Sequence, residues 1–146
     1  MSDEQPIDPQ TGWVADHLRA YVASGGAEGH TWRGVPTLLL TTRGRRSGRL
    51  RRTPLIYGRD GEAYVVVASR GGAPAHPAWF LNLRDDPEVT IQVGPDVMAA
   101  RAEVVGDDRR AELWDQMAQI WPDYDAYQRR TERVIPLVRL VPAEGG

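Results

Sequence analysis

Eight arginines, Arg33, Arg43, Arg45, Arg46, Arg49, Arg51, Arg52 and Arg59, lie between Glu28 and Asp60 with no acidic residue among them. In their densest part, Thr41-Thr42-Arg43-Gly44-Arg45-Arg46-Ser47-Gly48-Arg49-Leu50-Arg51-Arg52-Thr53-Pro54, two glycines flank an Arg-Arg-Ser core. Glycine lets the backbone turn sharply. N–H groups then point outward beside a hydroxyl and several guanidinium forks, which bind phosphate or carboxylate bidentately and keep their charge at any working pH. The segment therefore suits a phosphodiester or a polycarboxylate tail. The plainer alternative is a solvated hairpin loop in a chain that uses Arg wherever others use Lys, since all 18 basic residues are Arg. A Walker A loop is excluded, because no Gly-Lys-Ser/Thr terminus is present.

Two further segments can do chemistry. Ala68-Ser69-Arg70-Gly71-Gly72-Ala73, followed by His76-Pro77-Ala78-Trp79-Phe80-Leu81-Asn82, ends an apolar run in N–H groups, one hydroxyl and two glycines, with the flat Trp79 close by. A planar ligand can approach such a backbone closely; equally, the segment reads as a strand end, a turn and a core Trp. In Trp121-Pro122-Asp123-Tyr124-Asp125-Ala126-Tyr127 the tyrosines share one face if the segment is helical, with Trp121 one turn back. Such a stripe lines a pocket for a flat substrate and offers phenol donors to a developing anion, or else packs the core with its hydroxyls at the surface. His17, His30 and His76 lack metal-ligand spacing and acidic company, so no metal is expected. No Ser/His/Asp order stands out, and without Cys nucleophilic catalysis has little support.

The elements that must position these groups follow from periodicity. Residues 13–24 read as a helix with Trp13, Val14, Leu18, Tyr21 and Val22 on one face, closed by Gly25-Gly26. That face covers the core, or else meets a membrane or a partner. Strands are expected over residues 37–42, 53–58 and 62–69, the last two joined by a hairpin at Asp60-Gly61. A short helix with Pro77 in its first turn and Trp79, Phe80 and Leu83 inward ends at Asp86-Pro87. Residues 89–93 and 97–105 pair as strands around Gly94-Pro95. Asp107 is the expected N-cap of a helix over 109–120, a last helical turn covers 124–130, and 133–141 form a terminal strand whose Pro136 suggests an edge or bulge.

Residues 1–12, polar with two prolines, are expected to form a loose arm, and 13–146 a single domain. Adjacent strands joined by short turns make an antiparallel sheet, and six strands in so short a chain curl and close. The expected fold class is mainly β with peripheral helices (α+β), a small barrel of about six antiparallel strands. A Rossmann arrangement is excluded, since strands do not alternate regularly with helices and no Gly-x-Gly-x-x-Gly opens a helix.

At 146 residues, 41% hydrophobic and 26% charged, the composition is that of an ordinary globular domain, neither a disordered tail nor a membrane protein. The net charge of −2 hides a dipolar molecule, one cationic segment against a net acidic remainder. Nucleic-acid binding is disfavoured, because the positives gather in one loop without interleaved aromatics and the pI is near 5.9. Zero Cys excludes a disulfide-stapled secreted fold and thiolate metal centres. The first residues are acidic without an apolar h-region, and no apolar run reaches bilayer length. The expected location is cytoplasmic, with peripheral membrane association through residues 13–24 as the alternative.

Taken in order, LLLTTRGRRSG, RRTPL, the Asp-Gly hairpin, VVASRGGAPAHPAWFLNLRDDPEV and WPDYDAYQRRTERVIPLV resemble the deazaflavin (F420)-dependent nitroreductase family, oxidoreductases of split β-barrel fold, over residues 13–142. The resemblance implies that Arg45, Arg46, Ser47 and Arg51 hold the phosphate and glutamate tail of coenzyme F420, with Thr53 and Pro54 close to the cofactor. Ser69-Arg70-Gly71-Gly72 stands for the family's Ser-Lys-Gly-Gly. The backbone from Ala68 to Gly72, with His76, Pro77, Ala78, Trp79 and Asn82, would flank the tricyclic ring and its linker. Tyr124 and Tyr127 match substrate-pocket tyrosines, while Trp121 and Ile56 stand where other members carry Tyr, a departure that bears on the substrate.

The implied reaction is hydride transfer from C5 of reduced F420 to a small-molecule acceptor, a quinone, nitroaromatic or activated alkene. Ser69, Tyr124 and Tyr127 would donate hydrogen bonds to the group that becomes anionic. FMN is the alternative cofactor, a carrier without turnover the alternative role, and a monomer or homodimer the expected state.

Overall fold

The computed structural model describes residues 12–28, 30–32 and 34–143, so the expected arm falls almost wholly outside the described residues. The elements are α1 Gly12–Ser24, β1 Thr31–Trp32, β2 Val35–Arg43, β3 Leu50–Ile56, β4 Gly58–Asp60, β5 Ala63–Val67, α2 Ala78–Asp85, β6 Glu88–Val93, β7 Asp96–Val104, α3 Asp107–Ile120, α4 Asp123–Arg129 and β8 Leu137–Pro142. Six long strands are those expected, and β1 and β4 are short additions of two and three residues.

All strand pairs are antiparallel, in the order β1-β2-β6-β7-β8-β5-β4, with β3 on the other edge of β2. Only Tyr57 separates β3 from β4, and its N–H donates to the Pro36 carbonyl at 3.2 Å. The two ends of the sheet are thus joined by the chain itself, and the sheet curls into a barrel. Leu38, Leu40, Tyr64, Val66, Ile91 and Leu140 fill the interior. On the outside, Val65, Val67 and Leu137 pack on Leu113 and Met117 of α3 and Tyr124 of α4. Both faces of β5 are therefore covered, which is why that strand is apolar throughout and does not alternate. Leu18 and Tyr21 of α1 pack on Leu39, so these two residues of the expected face meet the core; Val22 is exposed, and the side chains of Trp13 and Val14 lie outside the described residues. No helix among the described residues is long and apolar enough to cross a membrane.

Four local expectations shift. Asp60 pairs with Ala63, so the hairpin turns at Gly61 and Glu62, and only Gly61 takes positive φ, 61°; Asp60 is kept in the strand by its bonds to two arginines. β3 begins at Leu50, because Arg51 and Arg52 pair with Thr42 and Thr41 and extend the ladder into the arginine segment. Gly106, not Asp107, is the N-cap of α3, with no side-chain bond; Asp107 sits in the first turn, where its charge faces the positive end of the helix dipole. β8 starts after Pro136 and lies between β5 and β7, not at an edge: Pro136 has no N–H for a ladder, and its carbonyl accepts from Ala68.

Candidate cofactor and substrate site

A pocket of about 210 Å³ opens beside β3. Its walls are Pro54, Leu55 and Ile56 of β3, Ser69 and Gly71 of the turn after β5, and Trp121, Tyr124 and Tyr127 from the junction of α3 and α4. His17 of α1, Thr37 and Val67 complete the lining. The Tyr124 and Tyr127 rings lie 6.1 Å apart and nearly perpendicular, and Trp121 Nε1 donates to the Tyr127 hydroxyl at 3.5 Å. Tyr124 is 5% exposed. Among the described residues no buried side-chain oxygen or nitrogen lacks a partner, so its hydroxyl, which bonds none of them, is open to the pocket it lines. Burial, then the neighbouring Tyr127, pushes the Tyr124 phenol well above its ordinary pKa, so it is a donor at every working pH.

Along β3 toward its start, the chain reaches the arginine turn. Gly44 N–H donates to the Arg49 carbonyl at 2.7 Å, Gly48 N–H to the Gly44 carbonyl at 2.9 Å, and the Ser47 hydroxyl accepts from Arg49 N–H. Asn82 of α2 is 3% exposed and accepts from both the backbone N–H and Nη1 of Arg45, at 3.2 and 3.1 Å, while its Nδ2 donates to Thr42 Oγ1. Asn82 thus holds Arg45, and its amide is already engaged within the fold. Arg45, Arg46, Arg49 and Arg51 are exposed and pair with no carboxylate among the described residues. Pro54 lies three residues along β3 from Arg51, about 10 Å at the usual rise.

The turn after β5 is unusual in its backbone. Ser69 is right-handed helical, Arg70 has φ 47°, and Gly71 and Gly72 have φ 64° and 84°. Around Gly71 there is open space, but a Cβ on Gly72 would stand 2.7 Å from the Tyr127 carbonyl oxygen. Gly72 is therefore where α4 butts against the turn. Arg133, in the segment before β8, donates Nη2 to the Ser69 carbonyl at 2.7 Å, Nη1 to Ala68 at 3.1 Å and Nε to Ala73 at 2.8 Å. Its Nη1 also meets His76 Nδ1 at 2.9 Å. A guanidinium only donates, so Nδ1 of His76 accepts and carries no proton. Burial first, then the positive charges of Arg133 and Arg84, lowers the His76 pKa in agreement with that geometry.

Comparison with known proteins gives one consistent result. The sequence pattern of the family described as F420H(2)-dependent quinone reductase matches residues 13–142. The chain belongs to this family. The F420H(2)-dependent quinone reductase Rv1261c of Mycobacterium tuberculosis is 41% identical over 128 residues, 85% of this chain and 86% of the relative. The structure of the F420-H2 dependent reductase FDR-A superposes with TM-score 0.66 at 35% identity, covering 72% of this chain and 93% of that one. A protein solved as a domain-swapped dimer superposes with TM-score 0.69 at 31% identity, covering 86% and 97%. The family's split barrel is the architecture seen here.

Of the residues expected at the family's site, Pro54, Ile56, Ser69, Gly71, Trp121, Tyr124 and Tyr127 come together in the pocket wall. Arg45, Arg46, Ser47 and Arg51 gather at the arginine turn, and Thr53 lies between the two on β3. His76, Pro77, Ala78 and Trp79 do not line the pocket: Pro77 caps α2, Ala78 is exposed, Trp79 packs partly buried on the barrel core, and the His76 ring lies 4.9 Å from Phe80. Ala68 is fully buried and offers only backbone. His17, Thr37, Leu55 and Arg133 were not expected. His17 follows from its place on the inner side of α1; for Arg133, one arginine among 18, the sequence carries no distinguishing signal.

Proposed function

We propose that this chain binds reduced F420 and uses it to reduce a quinone. The observation that carries the reading is that β3 leads from exposed Arg45, Arg46, Arg49 and Arg51, which pair with no carboxylate among the described residues, to the wall of an aromatic-lined pocket, Arg51 and Pro54 lying about 10 Å apart along the strand. A flat ring joined to a polyanionic tail fits that pair of sites, and the names of the family and its relatives agree with F420 as that ligand. In this reading Arg45, Arg46, Ser47 and Arg51 hold the tail, with Thr53 and Pro54 next along the strand. The ring lies against Pro54 and the Ser69–Gly71 backbone, and residues 13–146 act as one domain.

When bound, the cofactor supplies the hydride. The protein positions and polarises the acceptor. Ile56 offers apolar surface and Trp121 a flat ring, which exclude water, and the Ser69, Tyr124 and Tyr127 hydroxyls donate to the carbonyl oxygen that gains negative charge. Tyr124, held as a phenol by burial, stabilises that charge without giving up its proton. Water then protonates the product oxygen. Nitroaromatics and activated alkenes, flat electrophiles of similar size, are proposed as further acceptors.

Titration with F420, followed by deazaflavin fluorescence, is expected to give micromolar binding, and the loaded protein to oxidise the reduced cofactor with menadione. No binding at micromolar concentrations overturns the reading. Competition with FMN should leave F420 bound, because the arginine turn favours the longer anionic tail.

A further inference from the structure

Arg133 spends its donors on the backbone carbonyls of Ala68, Ser69 and Ala73 and on the ring nitrogen Nδ1 of His76. In a trans peptide the C=O and N–H point opposite ways. Drawing the Ala68 and Ser69 carbonyls toward the guanidinium therefore aims the N–H groups of Ser69 and Arg70 away from it. The carbonyl of Ala73 precedes Pro74 and has no such counterpart. A right-handed residue followed by a left-handed one, here Ser69 then Arg70, makes successive N–H groups converge into a concavity that attracts negative charge. A left-handed arginine is strained, and such strain persists only where surroundings enforce it. Ser69 and Gly71 of this turn line the pocket.

We infer that Arg133 is a positioning residue, holding the turn from Ser69 to Gly71 so that its N–H groups serve the bound cofactor, and that its hold is complete only while His76 is an unprotonated acceptor. This rests on the reading of the pocket as an F420 site. The charges facing His76 are Arg133 and Arg84 of α2, with Arg70 close to Arg133, and Phe80 packs on the ring. All three charges are positive, so a proton on Nδ1 replaces an acceptor with a repelled cation and releases one corner of the turn.

The test uses the full chain and the variants R133M, R133K and H76N. F420 affinity is measured by fluorescence from about pH 5 to about pH 8, with amide hydrogen exchange of residues 69–72 and thermal midpoints alongside. R133M is expected to weaken F420 binding about tenfold or more and to speed exchange at the turn, with R133K between it and the wild type. Wild-type affinity falls toward acid, and H76N flattens that acid limb whatever its affinity at neutral pH. Folded R133M with wild-type affinity and exchange, R133K no better than R133M, or an acid limb unchanged in H76N overturns the inference. Should R133M fail to fold, R133K and H76N decide it. Failure of the wild type to bind F420 overturns the site reading itself; wild-type binding with an unaffected R133M overturns only the role of Arg133.

Discussion

Two groups of arginines in this barrel keep different company. At the β4 end, Arg109 and Arg139 share the Asp60 carboxylate at 3.0 and 2.8 Å, Arg139 reaches Glu103 at 2.8 Å, and Arg109 reaches Glu112 at 3.2 Å. At the turn between β2 and β3, Arg45, Arg46, Arg49 and Arg51 crowd together without a carboxylate among the described residues. The first group neutralises itself and fastens α3 and β8 to the β4–β5 hairpin. The second adds self-repulsion among the described residues, and in the proposed function its counter-charge is the cofactor tail. The same residue type thus fastens the fold in one place and is proposed to bind in the other, and what distinguishes them is an anion among the described residues.

The sharpest way to break this contrast is the triple variant R45Q/R46Q/R51Q. Charge-assisted bonds contribute about 1.5–3 kcal/mol each, so F420 affinity should fall by about a hundredfold or more, while the thermal midpoint holds or rises as repulsion is relieved. A lower midpoint with intact binding would assign these arginines to the fold. Asp60→Asn should give the mirror image. Leaving Arg109 and Arg139 short of a counter-ion costs about 1–3 kcal/mol, at about 2–4 °C per kcal/mol for a chain near this size, with F420 binding unchanged by titration.

Acid titration sharpens the same contrast with a smaller effect. The Arg109 hydrogen bond, opposed by partial burial and assisted by Arg139, holds the Asp60 carboxyl below its ordinary 3.8. The unfolded chain therefore binds more protons there, and the contribution of Asp60 is complete above that value and lost as pH falls through the lower, folded one. Calorimetry of wild type and Asp60→Asn should show midpoints that converge in acid. His76, lowered from 6.5, follows the same sign: its share is complete above that value and declines below it. The smallest change is expected for Arg101→Gln. Its pairing with Glu88 is exposed on both sides, 62% and 68%, and urea unfolding should register under about 1 kcal/mol.

Much of this was legible in the sequence because local rules and burial agreed. The Val-rich run of β5, the Gly94-Pro95 turn, and the spacing of Tyr124 and Tyr127 each specify their element, and that spacing puts both tyrosines in one wall. Where two local readings competed, tertiary pairing decided. Arg51 and Arg52 read as loop chemistry until Thr42 and Thr41 claim them as ladder partners. Asn82 reads as a ligand contact until burial turns it toward Arg45 and Thr42. Arg133 was beyond reach, since its partners are backbone carbonyls about sixty residues earlier, which any residue type provides.

The contact at Gly72 has a consequence for how such a slot changes over time. The wall proposed to carry the tyrosine hydroxyl donors and the wall proposed for the cofactor meet there, and the Tyr127 carbonyl oxygen occupies the space a methyl group would need. Their separation is therefore gauged by a missing side chain. On the proposed assignment, a change at Trp121 or Tyr127 would alter which acceptor fits, while the spacing between acceptor and cofactor would stay as the backbone set it.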